Sequence, residues 1–390
     1  MAVSATAHQL IIVGNGFDIE CGLNSQFSSF FASRFKDIDN INDYEETAWS
    51  AAVEKAGLTA WDFILRRSSD SDWCDIEEAI KRWVVTPRTG LPVNERVHKT
   101  VGATRKYPFA RHPYALSGNR LISEENDDAY VYGNVCRRIW MLIGPTKVES
   151  FGQKELFPIL RSELGLLERA FEEYLRKEVA SKPDYQIKSR DLFEELARDG
   201  FPSPRHGIVD TSVLTFNYTN PFTDRMVGPG LDDDNVVNIH GHLNGEIIFG
   251  IDGTDCMNDD DALPFTKTYR VVMAGNQIRQ VLSHSDSAGE GAQTDYVKFY
   301  GHSLGKPDYS YFQSIFDGIE LYGGRTRLVF YYRPWLVDGS LVPEEVARTG
   351  MVRKVSNLLN AYGKTLDNKD HGKNLMHRLM LEGRLEVKRI

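Results

Sequence analysis

The chain has 390 residues, of which 41% are hydrophobic and 26% are charged, and its formal net charge is -9. This length suits two or three domains, or one α/β core with a large insertion. The negative charge argues against broad binding to nucleic-acid phosphates, although small basic patches stay open. Because no apolar run approaches the roughly 18 residues of a membrane span, and the N-terminal residues lack a signal-peptide pattern, we expect a cytoplasmic protein with no membrane partner.

The cysteines agree with that expectation. Cys21, Cys74, Cys136 and Cys256 lie far apart and form no CxxC pair. This spacing argues against a zinc knuckle and against a dense disulfide framework. A reducing compartment is therefore expected.

The first predicted element is a strand, "QLIIVGN", that runs into a Gly-x-Gly turn. A strand before such a turn and a helix-compatible segment after it are typical of a nucleotide-binding loop. We therefore predict that Gly14, Asn15 and Gly16 contact a nucleotide. Asp18 is unexpected there, because a carboxylate repels phosphate. The alternative is a tight structural turn in which Asp18 caps the helix.

Residues 36–205 are predicted to form a mainly helical insertion, because "DWCDIEEAIKRWVV" and "LRSELGLLERAFEEYLRKEVA" carry apolar residues at helical spacing. Residues 88–128 have weak periodicity and many turn formers, which predicts a lid-like loop. Asp75 and Glu77 are interpreted as carboxylates at a helix start, with a catalytic role as the alternative.

Most of the predicted strands follow the insertion. They are "SVLTFNYT", "NVVNIHGHL", "EIIFGID", "DYVKFYGHSL", "RLVFYYRP" and "RLEVKRI". Strands that alternate with helical segments predict an α/β fold with a Rossmann-like, doubly wound and largely parallel sheet. The nucleotide-binding core is then residues 1–35 plus 206–390, interrupted by the insertion.

Polar residues follow three of these later strands. Asn217 and Thr219 end "LTFNYTN", His240 and Gly241 end "VVNIHG", and Gly301, His302 and Ser303 follow "VKFY". Carboxyl ends of parallel strands are where open α/β sheets bind ligands. An Asn can hold a ribose hydroxyl and a water, and a His can accept a proton near neutral pH. Each motif alone also fits a structural turn or a hydrogen-bonded core residue.

Two further features concern charge and metal. Lys267, in "PFTKTYR", is a candidate phosphate ligand, although it also fits a solvated face. A lid arginine could take the same role. His240 and His242 could suggest a metal, but no third ligand is spaced convincingly, so no metal is expected.

Taken together, these motifs resemble the AbiH family of bacteriophage abortive-infection proteins. The matching stretches are "GNGFD", "TFNYTN", "IHG", "IIFGID", "GHSLG" and the "WCDIE" element, and they span most of the chain. The resemblance implies a bacterial anti-phage role. It says less about the reaction.

A more distant resemblance is to sirtuins and sirtuin-like NADase domains, which carry four similar loops in the same order. It implies NAD as substrate or ligand, His240 as the general base, and Asn217 at the ribose and water. Asp18 stands where sirtuins have a small hydroxyl residue, and Thr219 replaces an Asp. The zinc module is missing, so the chain does not resemble a protein deacylase.

The sequence thus predicts a sirtuin-like hydrolase that cleaves the N-glycosidic bond of NAD or a related nucleotide during abortive infection. Asn217, His240 and Asp18 are the predicted catalytic residues, and Asp18 stabilises the cationic transition state. Expected partners are the nucleotide, a phage component as trigger, and further copies of the chain. The alternatives are a non-catalytic nucleotide sensor, and a nuclease or phosphohydrolase with Asp18, Asp75 and Glu77 around Mg²⁺.

Overall fold

The computed structural model describes residues 7–39, 46–66, 76–85, 134–135, 137–143, 153–201, 209–222, 235–243, 245–253, 256, 259–274, 281–282, 294–337, 339–368 and 372–390. The predicted lid-like loop at 88–128 lies outside the described residues, and so does Asp75. No described helix is long and apolar enough to cross a membrane.

The first strand is followed by a run of helices, and the other strands lie in the second half of the chain. In order, the named helices and strands are β1 (Ala7–Val13), α1 (Gly16–Glu20), α2 (Phe27–Asp39), α3 (Glu46–Ala56), α4 (Ala60–Arg66), α5 (Ile76–Val84), α6 (Gln153–Ser181), α7 (Tyr185–Arg198), β2 (Val209–Thr215), β3 (Val236–Asn238), α8 (Lys267–Met273), β4 (Thr294–Tyr300), α9 (Tyr309–Gly318), β5 (Arg327–Tyr332), β6 (Leu336–Val337), β7 (Ser340–Leu341), α10 (Glu344–Gly363), α11 (Leu375–Leu381) and β8 (Leu385–Arg389). Residues 137–143 are also helical.

The chain divides into two compact units. The first comprises Met1–Asn24, Glu178–Glu246 and Asn276–Ile390, and the second comprises Ser25–Lys177 and Ile247–Gly275. These bounds differ from the sequence-based division at residues 35 and 205. The reason is that α7 packs on the sheet of the first unit, whereas residues 247–275 pack within the second.

The first unit contains a six-stranded, all-parallel sheet in the order β3-β2-β1-β4-β5-β8. Along β1, Leu10 and Ile12 join a buried cluster that includes α9, α10 and α11. Ile11 and Val13 join a cluster on the other side that includes α1 and α7. Alternate residues of a strand face opposite sides of a sheet, so helices cover both faces. The predicted Rossmann-like, doubly wound α/β fold is confirmed.

The described part of the second unit is mainly helical and contains a buried ion pair. Arg270 of α8 forms a bidentate pair with Glu168 of α6, and Nη2 lies 2.9 Å from Oε2. Arg270 also donates to the carbonyl of Phe249 at 2.6 Å. The predicted strand "EIIFGID" lies here and is wrong, because its Ile251 makes only an isolated bridge to Thr266. Its apolar residues are buried in this unit rather than in the sheet.

Candidate functional site

Strands β1 and β4 are adjacent at the point where the strand order of the sheet reverses. Open α/β sheets bind ligands in the crevice beyond the carboxyl ends of such strands. Val13, the last residue of β1, pairs with Tyr300, the last residue of β4. The segments that follow, 14–16 and 301–303, therefore leave the sheet side by side.

These two segments touch through glycine backbones. The N–H of Gly14 donates to the carbonyl of Tyr300 at 3.0 Å, and that of Gly16 donates to Gly301 at 2.8 Å. A Cβ atom on Gly16 would lie 2.7 Å from Cα of Gly301, and Gly301 itself has a φ of +69°. Side chains larger than hydrogen do not fit such contacts. The contact is a structural reason for the glycines, and nucleotide contact by Gly14, Asn15 and Gly16 stays a prediction.

Asp18 lies in α1, and hydroxyl groups from two distant segments donate to its buried carboxylate. Tyr185 of α7 donates to Oδ1 at 2.8 Å, and Thr219 donates to Oδ2 at 2.6 Å. Burial raises the pKa of Asp18 to about 6, and the two hydroxyl hydrogen bonds oppose this shift. Asp18 thus ties the turn after β1 to the segment after β2 and to α7.

Asn217 follows β2 and lies beside the Asp18 carboxyl, whose pKa it helps to lower. Its backbone is fixed, because its N–H donates to Oγ1 of Thr215 at 3.1 Å and its carbonyl accepts from Asn238 at 3.4 Å. The residue is only 3% exposed. Among the described residues, neither its amide nitrogen nor its amide oxygen has a hydrogen-bond partner of acceptable geometry. A buried amide of this kind is costly in a protein and calls for an explanation.

His240 follows β3, and His302 follows β4. Nε2 of each lies 3.4 Å from a carboxylate oxygen of Asp308, Oδ1 for His240 and Oδ2 for His302. The ring of Phe216 packs against both imidazoles, with centroids 5.4 Å and 4.4 Å away. The residues after β2, β3 and β4 are therefore brought together with Asp308, which directly precedes α9.

The other predicted site residues of the first unit lie in the same segments. Gly241 follows His240 with a φ of +80°. Ser303 is exposed, and its Oγ accepts from the N–H of Gly305 at 3.3 Å. Binding of a ligand by Ser303, His302, Thr219 and Gly241 stays a prediction.

Lys267 belongs to the second unit. Its side chain is buried, and Nζ lies 2.5 Å from Oε1 of Glu77. The partner of its charge is thus a carboxylate of the same unit. Glu77, the candidate metal-binding carboxylate, is engaged by the same ion pair, and phosphate binding by Lys267 stays a prediction.

The chain matches a known protein family. A family described as "Bacteriophage abortive infection AbiH" matches residues 10–332. The chain belongs to the AbiH family. This membership supports a role in bacteriophage abortive infection, and the matched segment contains Asp18, Asn217, His240, His302 and Asp308. No curated protein and no solved structure matches the chain, so the resemblance to sirtuins stays a prediction.

Two residues of this cluster were not predicted from the sequence. Asp308 stands within the family-like stretch "GHSLGKPD". Its short separation from His302 in the sequence is a signal that could have identified it as a site residue. Tyr185 lies in the predicted insertion, within "KPDYQIKSRDLF", and carries no motif. Only the packing of α7 against the sheet brings Tyr185 to Asp18.

Proposed function

We propose that this AbiH protein cleaves the N-glycosidic bond of NAD or a related nucleotide beyond the carboxyl ends of β1 and β4. The observation that carries the proposal is the buried Asn217 amide, whose two polar atoms make no hydrogen bond of acceptable geometry among the described residues. A ligand that fills both positions removes a cost of about 1 to 3 kcal/mol per unsatisfied group. A ribose hydroxyl and a water match one acceptor and one donor.

The neighbouring residues suit that chemistry. The bond between C1′ and nicotinamide breaks with its electron pair leaving on nicotinamide, and the ribose becomes oxocarbenium-like. Asn217 holds the ribose and the attacking water. His240 accepts the proton of that water as its oxygen bonds to C1′. Asp18 lies beside Asn217, and its carboxylate, with a pKa of about 6, supplies negative charge that stabilises the oxocarbenium-like ribose.

The test is to incubate the purified protein with NAD, with and without a lysate of phage-infected cells, and to follow nicotinamide by chromatography. We expect nicotinamide release, reduced at least about 100-fold in His240→Gln and in Asn217→Ala. The control is His377→Gln, because His377 is exposed on α11. Circular dichroism checks that the variants fold. Absence of nicotinamide under every condition, or full activity of His240→Gln, contradicts the proposal.

A second candidate function is a nucleotide sensor without turnover. The observation that favours it is the hydrogen bond between Thr219 and Asp18, because these are the two positions that depart from sirtuins. The Asp18 carboxylate accepts hydrogen bonds from the Tyr185 and Thr219 hydroxyls. These bonds fix the segments after β1 and β2 whether or not a reaction follows. Calorimetry that shows NAD binding, together with no nicotinamide release in any condition, supports this candidate over the first.

A further inference from the structure

The two histidines of the site share one carboxylate. Nε2 of His240 and Nε2 of His302 lie 3.4 Å from different oxygens of Asp308. This distance suits an ion pair and is long for a hydrogen bond. Catalytic hydrogen bonds are often long before a ligand binds, and they shorten in the complex. The arrangement therefore connects the segments after β3 and β4 through Asp308.

The tautomer of His302 follows from its other ring nitrogen. The N–H of Leu304 donates to Nδ1 of His302 at 2.9 Å. Nδ1 therefore carries the lone pair, and the ring proton of the neutral imidazole sits on Nε2, towards Asp308. Leu304 has a φ of +57°, which is unusual for a bulky residue. Such strain is kept where the surroundings impose it, and here it accompanies the N–H that fixes His302.

We propose that Asp308 is a positioning residue that holds the proton of His240 on Nε2, so that His240 accepts a proton through Nδ1. The proposal rests on the proposed function only in giving His240 the role of a base. An ionised carboxylate can only accept hydrogen bonds, so both histidines present N–H to it. This is the logic by which a carboxylate orients a general-base histidine in other enzymes.

The surroundings of His240 favour a fixed ring. Phe216, Tyr218 and Tyr311 pack against the imidazole, with ring centroids 5.4 Å, 6.3 Å and 6.1 Å away.

A metal ion is a poorer explanation of the shared carboxylate. Within the described ranges, no group of three or more His, Cys, Asp and Glu side chains is arranged to hold one.

The tautomers can be measured without any activity. Protein labelled with ¹⁵N histidine is studied by NMR at pH 8, with signals assigned by loss in His240→Gln and His302→Gln. We expect the proton on Nε2 in both neutral rings. A proton on Nδ1 of His240 in the unmodified protein overturns the proposal. If a variant does not fold, the ring signals are assigned through their connectivities to the backbone of the unmodified protein.

The variant Asp308→Asn gives a stricter test, because the proposal requires the tautomer of His240 to change in it. Leu304 fixes His302, so the Asn oxygen must accept from His302 and the Asn amide must face His240. His240 then has to offer a lone pair on Nε2, and its proton moves to Nδ1. We expect this inversion in Asp308→Asn and a return to the original tautomer in Asp308→Glu. The control is Asp191→Asn, an exposed residue of α7 whose replacement changes the charge equally.

The two proposals fail in different ways. If NAD is cleaved, we expect Asp308→Asn to lower kcat at least about 100-fold with little change in KM, and Asp308→Glu to recover part of it. If no NAD is cleaved but the tautomers behave as expected, the proposed function fails and the role of Asp308 stands. If His240 keeps its tautomer in Asp308→Asn, the proposal that Asp308 positions His240 is wrong, whatever the activity.

Discussion

Asn217 and Asn238 are two amides at the same edge of the sheet, and the structure uses them differently. Asn238 donates to the carbonyls of Asn217 and Thr219 at 3.4 Å and 3.3 Å, so it ties the segment after β2 to β3. The side chain of Asn217 makes no comparable bond among the described residues. The Asn238 amide joins two segments, whereas the Asn217 amide helps to lower the pKa of Asp18 without forming a hydrogen bond of acceptable geometry among the described residues.

This contrast gives a stability prediction. At pH 5, Asp18 with a pKa of about 6 is mostly protonated and gains little from the neighbouring amide. Replacing Asn217 by the similarly sized Leu at this pH should leave the free energy of unfolding unchanged or raise it, because two buried polar atoms without a well-formed hydrogen bond disappear. Asn238→Leu should lower it by about 1 to 2 kcal/mol, since two carbonyls lose a donor. Urea unfolding followed by fluorescence measures both values. An equal loss in the two variants shows that Asn217 has a structural role instead.

The sequence predicted which residue types stand at the strand ends, but not their pairing. Asn217 and His240 were found because polar residues directly follow apolar strands. The bond between Asp18 and Thr219 joins residues 201 positions apart, and no local pattern contains that information. The same holds for Asp308, whose two histidine partners come from different strands.

At the level of elements, a buried lysine connects β4 to the end of α7. Nζ of Lys298 donates to the carbonyls of Leu196 and Asp199 at 2.8 Å and 2.6 Å, and to Oε1 of Gln9 at 2.5 Å. Burial lowers the pKa of Lys298 to about 7, whereas these oxygens favour the charged form. The last carbonyls of a helix need such donors. Lys298 therefore anchors α7, which begins at Tyr185, the partner of Asp18.

Lys298→Met should loosen the end of α7. The carbonyls of Leu196 and Asp199 lose their buried donor, so we expect amide hydrogen exchange in the last turn of α7 to become at least about 10-fold faster. The control is Lys388→Met. Lys388 forms a partly buried ion pair with the Asp199 side chain at 2.6 Å. When Lys388 is replaced, Tyr331 still donates to that carboxylate at 2.5 Å. Equal exchange in both variants shows that Lys298 is not the anchor.

Short apolar runs do not always form strands, and "EIIFGID" is an example. A short apolar run marks burial, and in a parallel sheet burial and strand formation coincide. β1, β4 and β5 were predicted correctly for that reason. Residues 247–251 are equally buried, but they pack within the second unit. Periodicity alone does not tell which neighbour covers an apolar run.

At the level of the whole molecule, the family match and the folded unit do not end at the same residue. The match stops at residue 332, the end of β5. The sheet continues with β8, which pairs with β5 from Leu328↔Leu385 to Tyr332↔Arg389. Val355 and Leu359 of α10 belong to the same buried cluster as Leu328 and Phe330. Residues beyond the match therefore complete the sheet and cover one of its faces.

A chain that ends at residue 332 should consequently fail to fold. Without β8 the backbone of β5 becomes an exposed edge, which promotes aggregation, and without α10 the buried face of the sheet meets water. We expect little soluble protein, and binding of a hydrophobic dye by what remains. The control is the full chain with Met380→Gln and Leu381→Gln, because these side chains are 59% and 90% exposed and their replacement leaves β8 in place. A truncated chain that is monomeric, with native helix content, shows instead that the matched segment suffices for the fold, and that the last strand serves some other purpose.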